Sequence, residues 1–149
     1  MSFEKFVAEY LEKGLLKKQK PDTRAVEKMI IRAQKDLKAA KANLKIDEEI
    51  SYTVSYTAML HAARAFILLK GYRPTDGYQH KTAVEFMSEY LGDEHKRVIE
   101  HFDRMRRNRN TFTYEVSLSI SMTEAENAVT TAGEFVELVG GRIHHANQK

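Results

Sequence analysis

Residues 48–69 read EEISYTVSYTAMLHAARAFILL. Drawn as a helix at roughly 100° per residue, the run places Ile50, Val54, Tyr56, Met59, Leu60, Ala65, Phe66 and Leu68 around nearly the whole circumference. A helix that is apolar on nearly every side belongs at the centre of a bundle, enclosed by others. Ala58, Ala62, Ala63 and Ala65 keep its surface small enough for neighbouring backbones to come close. Asp47 stands ahead of the run as an N-cap and Gly71 ends it.

The flanking segments supply the enclosing helices. Phe3, Phe6, Val7, Tyr10 and Leu11 repeat at helical spacing, which predicts a first helix over 3–17. A second, capped by Asp22 or Thr23 after Pro21, runs to about Leu44 through Val26, Ile30, Ala33, Leu37 and Ala40. Residues 72–78, with Pro74, Asp76 and Gly77, read as a loop. A short helix over 79–90 stops at Gly92, a fifth covers 93–113, and residues 115–122 read as an extended connector rather than a sheet. Thr123 and Glu126 form a capping box for a last helix, which Gly140 and Gly141 close, leaving 141–149 as a loose polar tail. The expectation is an all-α, up-and-down bundle of four or five helices in a single domain over 1–149.

Composition agrees. The 149 residues are 42% hydrophobic and 30% charged, with no run near the roughly 20 apolar residues of a membrane span. No secretory signal opens the chain, and the lack of cysteine removes disulfides and thiolate chemistry and suits the cytoplasm. The formal charge of +3 is unevenly spread. Lys17, Lys18 and Lys20 read as a solvated helix end, whereas arginines crowd 104–109.

In that arginine-rich stretch Val98, Phe102, Met105, Arg109 and Phe112 share one stripe, so Arg109 faces the core or a partner and needs an anion or carbonyl nearby. Arg104, Arg107 and Tyr114 fall on another face. Either this is a solvated helix end balanced by Glu100 and Asp103, or the mixture of arginines, Asn108, Asn110 and rings serves a phosphodiester and a base. His80 either caps its helix or reaches the arginines. His61, on a stripe with Ile50, Val54, Ala58 and Leu68, reads as a histidine bonded to a neighbour in the core or a partner. His95 and His101 do not share a face, His144 and His145 read as solvated, and Asp36, Glu48, Glu49 and Glu100 form no metal or two-carboxylate arrangement.

Residues 51–71, SYTVSYTAMLHAARAFILLKG, resemble the central helix of HEPN domains. His80-Lys81 is similar to the usual start of their next helix, and 107–114, RNRNTFTY, resembles the HEPN motif of Arg-Asn, three variable residues, His, one residue and Tyr. The likeness covers about 23–135. Phe112 stands where nuclease-active members carry histidine. A second HEPN motif, Arg, two residues, then Ala-Asp-Tyr, would align Arg109 with Tyr114.

The resemblance implies a homodimer whose fifth helices meet near the two-fold axis, so that Arg104, Arg107, Arg109 and His80 line a cleft for RNA or a nucleotide phosphate. It also implies a prokaryotic toxin-antitoxin or defence setting, with a small nucleotidyltransferase as a protein partner. As a metal-independent endoribonuclease, the chain would use Arg107 or Arg109 on the phosphate and Asn108 to position the arginine. Tyr114 or His80 would then replace the missing histidine, a role typically worth about 10²- to 10⁴-fold in rate. The alternatives are a non-catalytic binding module and a protein-interaction dimer in which Arg109 pairs with a carboxylate across the interface. Neither metal nor cofactor is expected.

Overall fold

Asp47 accepts the amide hydrogens of Glu49 and Ile50 on Oδ1, at 2.9 and 3.1 Å, and so starts the central helix α3 (Glu48–Leu69). The computed structural model describes residues 2–114 and 119–147, and for 110–114 the backbone alone. Tyr52, Tyr56, Met59, Phe66 and Ile67 of α3 are almost wholly buried, although Ile50 near its start is exposed. The enclosing helices are α1 (Phe3–Glu12), α2 (Thr23–Asn43), α4 (Gln79–Leu91), α5 (Lys96–Tyr114) and α6 (Met122–Asn147). α3 packs most extensively against α2 and then α6, and also touches α4 and α5. Its alanines make this possible: Ala58, Ala62, Ala63 and Ala65 are fully buried between helices. The all-α bundle stands. Among the described residues, no helix is long and apolar enough to cross a membrane.

The boundaries depart from the sequence reading in several places, among them the fifth helix, whose expected first turn, Asp93–His95, is 3₁₀. The first helix ends at Glu12, not 17, because the chain turns through Gly14 at φ +73°, a conformation that favours glycine. Leu16–Lys18 then forms β1, paired antiparallel with β2 (Tyr72–Pro74) in the segment expected to be a loop. Lys17 and Lys18 are therefore exposed on a strand, and no helix dipole acts on them as a helix end would. α6 is capped by Ser121 rather than Thr123: Ser121 Oγ accepts the Glu124 amide hydrogen at 3.1 Å and donates its hydroxyl to Glu124 Oε1 at 3.3 Å.

Gly140 and Gly141 do not close α6. Gly140 faces α2, where a Cβ would meet Ile30 Cγ1 at 3.7 Å in ordinary van der Waals contact. Val139 and Ile143 on either side are buried, and this packing carries the helix past both glycines to Asn147. Residues 141–147, read as a loose tail, are helical. Of the expected connector, 115–118 lie outside the described residues, and Ile120 just before α6 is buried.

α5 follows a short 3₁₀ turn, Asp93–His95, and lies across α3, α4 and α6. That position turns one face of the arginine-rich helix inward.

Candidate functional site

The inward stripe of α5 is apolar until its last described side chain. Phe102 and Met105 are fully buried, and Arg109 is half-buried. The Arg109 guanidinium lies 5.9 Å from the centroid of the Tyr56 ring on α3, within the range of a cation–π contact. The Tyr56 hydroxyl shares a 2.7 Å hydrogen bond with His80 Nδ1 at the start of α4, and the two rings lie nearly parallel, 17° apart in tilt. One buried tyrosine thus joins three helices and seats both His80 and Arg109. Of the two alternatives for His80, the structure places it with the arginines, and it makes no side-chain cap to its helix.

The electrostatics follow from burial. His80 is held below the ordinary histidine value, first by desolvation and then by the charges of Arg109, Arg64 and Arg106. Burial pushes the Tyr56 phenol up, more than Arg109 and Arg106 pull it down. At neutral pH the pair is therefore a neutral imidazole and a protonated phenol. If the hydroxyl donates to Nδ1, Nε2 carries the ring proton; if it accepts from Nδ1–H, Nε2 is a base.

His101 is also lowered, by burial first and then by Arg104 and Arg97, and its Nδ1 lies 2.6 Å from Thr131 Oγ1. Both histidines resist protonation in the folded state, whereas in the unfolded chain they take up a proton near pH 6.5. Their contribution to stability is complete above that value and is lost as pH falls through it towards the lowered folded values. Thermal melts followed by circular dichroism should show the midpoint dropping from pH 7 to pH 5, and dropping less in a His80→Gln/His101→Gln variant. An equal drop in both proteins would show that other groups govern the acid limb.

Asn108 makes a second link to α3: Nδ2 donates to the Tyr52 hydroxyl at 2.9 Å. Tyr52 and Tyr56 stand one turn apart, so Asn108 and Arg109 rest on successive tyrosines of α3. On the outer side, Asp103 Oδ1 receives Arg106 Nε and Nη2, both at 3.0 Å, while Arg107 Nε lies 3.6 Å from Oδ2. Between α4 and α5 runs a cleft of about 570 Å³, lined by Lys81, Arg104, Arg106 and Arg107 among others, with Glu85, Glu100 and Asp103. All three carboxylates are engaged, Asp103 by its arginines, Glu100 by Lys96 at 3.9 Å and Glu85 by the Tyr10 hydroxyl at 2.5 Å. Lys81 and Arg104 add their charges to the same lining.

Arg107 and Arg104 thus lie on the exposed outer face, Arg109 and His80 together on the inner one, and Arg106 serves both. The charge of Arg104 acts on Tyr52 and His101 rather than on His80. The Phe112 and Tyr114 side chains, and with them the role expected of Tyr114, lie outside the described residues. Sequence reasoning missed Tyr52, Tyr56 and Arg64. The available signal was two tyrosines four apart on a helix bound for burial, whose hydroxyls had to find partners.

No curated protein matches the chain. The HEPN domain family model matches residues 26–143, from the first turn of α2 to near the end of α6. That span holds the central helix, His80 and all the arginines of α5, so the resemblance of single motifs extends from α2 to α6, and the chain belongs to the HEPN domain family.

Proposed function

We propose that this HEPN domain binds RNA as a homodimer, through the arginine-bearing surface of α5 and the cleft between α5 and α4. HEPN domains are known in RNA-binding, nuclease and toxin-antitoxin modules. The observation that carries the reading is the seating of His80 and Arg109 on one buried tyrosine, with the charges of Arg64 and Arg106 acting on the same uncharged imidazole. Arginines gathered around a neutral acceptor–donor pair offer forks for phosphate oxygens, and Tyr56 and His80 add a planar platform beside them. Arg104 and Arg107, outward on the same helix, extend the path for a phosphodiester chain. Pairing of α5 with its symmetry mate would double this surface into one continuous cleft.

One observation favours a catalytic version: His80 and Arg109 share the Tyr56 side chain, and burial keeps the imidazole neutral, the state a general base needs. In that version Arg107 or Arg109 stabilises the phosphate, Asn108 fixes the helix end through Tyr52, and His80 or Tyr114 supplies the proton function that Phe112 cannot. A small nucleotidyltransferase as protein partner, a prokaryotic toxin-antitoxin role and a cytoplasmic location belong to the same proposal.

Anisotropy of a labelled single-stranded RNA against salt tests the binding reading. The logarithm of affinity should fall linearly with that of salt, by about 0.7 per phosphate contacted. The same RNA run on a gel, with a chelator present, tests cleavage. A chain that sediments as a monomer and holds no RNA at low salt would refute the proposal.

A further inference from the structure

Between α2 and α3, a second group of charged side chains is built around a buried acid, and it shares Arg64 with the surroundings of His80. Asp36 of α2 is 8% exposed, and a carboxylate so placed needs partners. Arg32 Nε donates to its Oδ1 at 3.1 Å, and His61 Nδ1 lies 2.6 Å from Oδ2. An ionised carboxylate can only accept, so the proton sits on Nδ1 and Nε2 is directed to other partners. The His61 side chain keeps 33% of its surface, and it emerges in a shallow pocket of about 300 Å³ with Lys28, Met29, Arg32 and Arg64. Among the described residues, neither Lys28 nor Arg64 is ion-paired. Three permanent cations and an imidazole therefore line the pocket, and of these Arg32 and His61 hold the buried carboxylate of Asp36.

We propose that this pocket binds a phosphate monoester. The Nη atoms of Arg32 and the guanidinium of Arg64 offer forks to its oxygens, and Lys28 offers a point charge. His61 Nε2 accepts the hydroxyl of a singly protonated phosphate, or donates to the dianion once it is itself protonated. Asp36 is a positioning residue: it fixes the imidazole tautomer and orients Arg32. A monoester suits the pocket better than a diester because its three terminal oxygens match donors arriving from α2 on one side and α3 on the other. A monoester can come from a free mononucleotide or from the 5′-phosphate end of an RNA, and both present the same group.

The test titrates the intact protein with inorganic phosphate, a 5′-mononucleotide and the matching nucleoside, by calorimetry and by the NMR signals of the His61 ring. Phosphate and mononucleotide should saturate and move His61, and the nucleoside should not. Lys28→Ala and Arg32→Gln, both at exposed positions, should each weaken binding roughly tenfold or more. Arg107→Ala should leave it unchanged, which separates this pocket from the α4–α5 cleft should RNA binding there fail. A preference of the wild type for 5′-phosphorylated over 5′-hydroxyl RNA, lost in Arg32→Gln, would support the proposal with an RNA end as the source. Nucleotide binding without that preference would support it with a free nucleotide. Nucleoside binding as tight as nucleotide binding, or phosphate binding untouched by both pocket variants, would overturn it.

Discussion

Phe102→Ala is expected to destabilise the protein by about 3–5 kcal/mol, a large share of the total stability of an ordinary domain. Phe102 is fully buried where three helices meet: its ring lies 5.2 Å from that of Phe135 on α6 and 5.7 Å from that of Tyr56 on α3. Truncation removes the hydrophobic transfer energy of the ring and leaves a hole walled by aromatic side chains that cannot easily close around it. Urea unfolding should show the midpoint falling with little change in slope, since the surface exposed on unfolding is nearly the same. Phe102→Leu keeps most of the volume and should cost much less. The effect should reach the site as well. With Tyr56 unsupported on one side, the seat of Arg109 and His80 loosens, so RNA affinity should fall even where the variant is folded. A loss below about 1 kcal/mol would mean that Phe102 is not the joint between α3, α5 and α6.

The central helix was legible to within a residue at both ends because its signals are local. Asp47 caps it, Gly71 follows it, and apolar residues on nearly every side leave no other place for it. The failures share a cause. β1 and β2 are three residues each, too short for alternation to register, and they pair across more than fifty residues of chain. Gly140 and Gly141 carry a stop signal that is locally correct, yet contact with α2 overrides it. Ser121 and Thr123 both have an acid three residues on, and the sequence does not say which of two equivalent boxes closes.

The site divides in the same way. The inward direction of Arg109 follows from the spacing of Val98, Phe102 and Met105, a property of one helix. The bonds of Tyr56 to His80 and of Asp36 to His61 join residues 24 and 25 positions apart, on different helices. Only packing brings those pairs together. Periodicity can say that a hydroxyl or carboxylate will be buried, and polar satisfaction then demands a partner without naming it.

Arg109→Ala is expected to weaken RNA binding by about ten- to a hundredfold, the loss associated with one charge-assisted hydrogen bond to phosphate. It should also reduce the salt dependence by the equivalent of one phosphate contact. Arg109 should matter more than Arg104 or Arg107 because it is half-buried against Tyr56, which restricts its side chain before any ligand arrives. Arg107 is 62% exposed and must be ordered on binding, so Arg107→Ala should lose less for the same formal charge. Arg24→Ala, an exposed change at the start of α2, controls for net charge and should leave affinity close to wild type.

A second measurement on the same variant separates a binding role from a structural one. Because the Arg109 charge helps to hold His80 below the ordinary histidine value, its removal should raise the His80 titration midpoint seen by NMR. A raised midpoint with weakened RNA binding places Arg109 over the His80–Tyr56 pair and on the ligand at once. A raised midpoint with unchanged RNA affinity would keep the geometry and remove Arg109 from the interface, leaving the outer face with Arg104 and Arg107 to carry the phosphate chain.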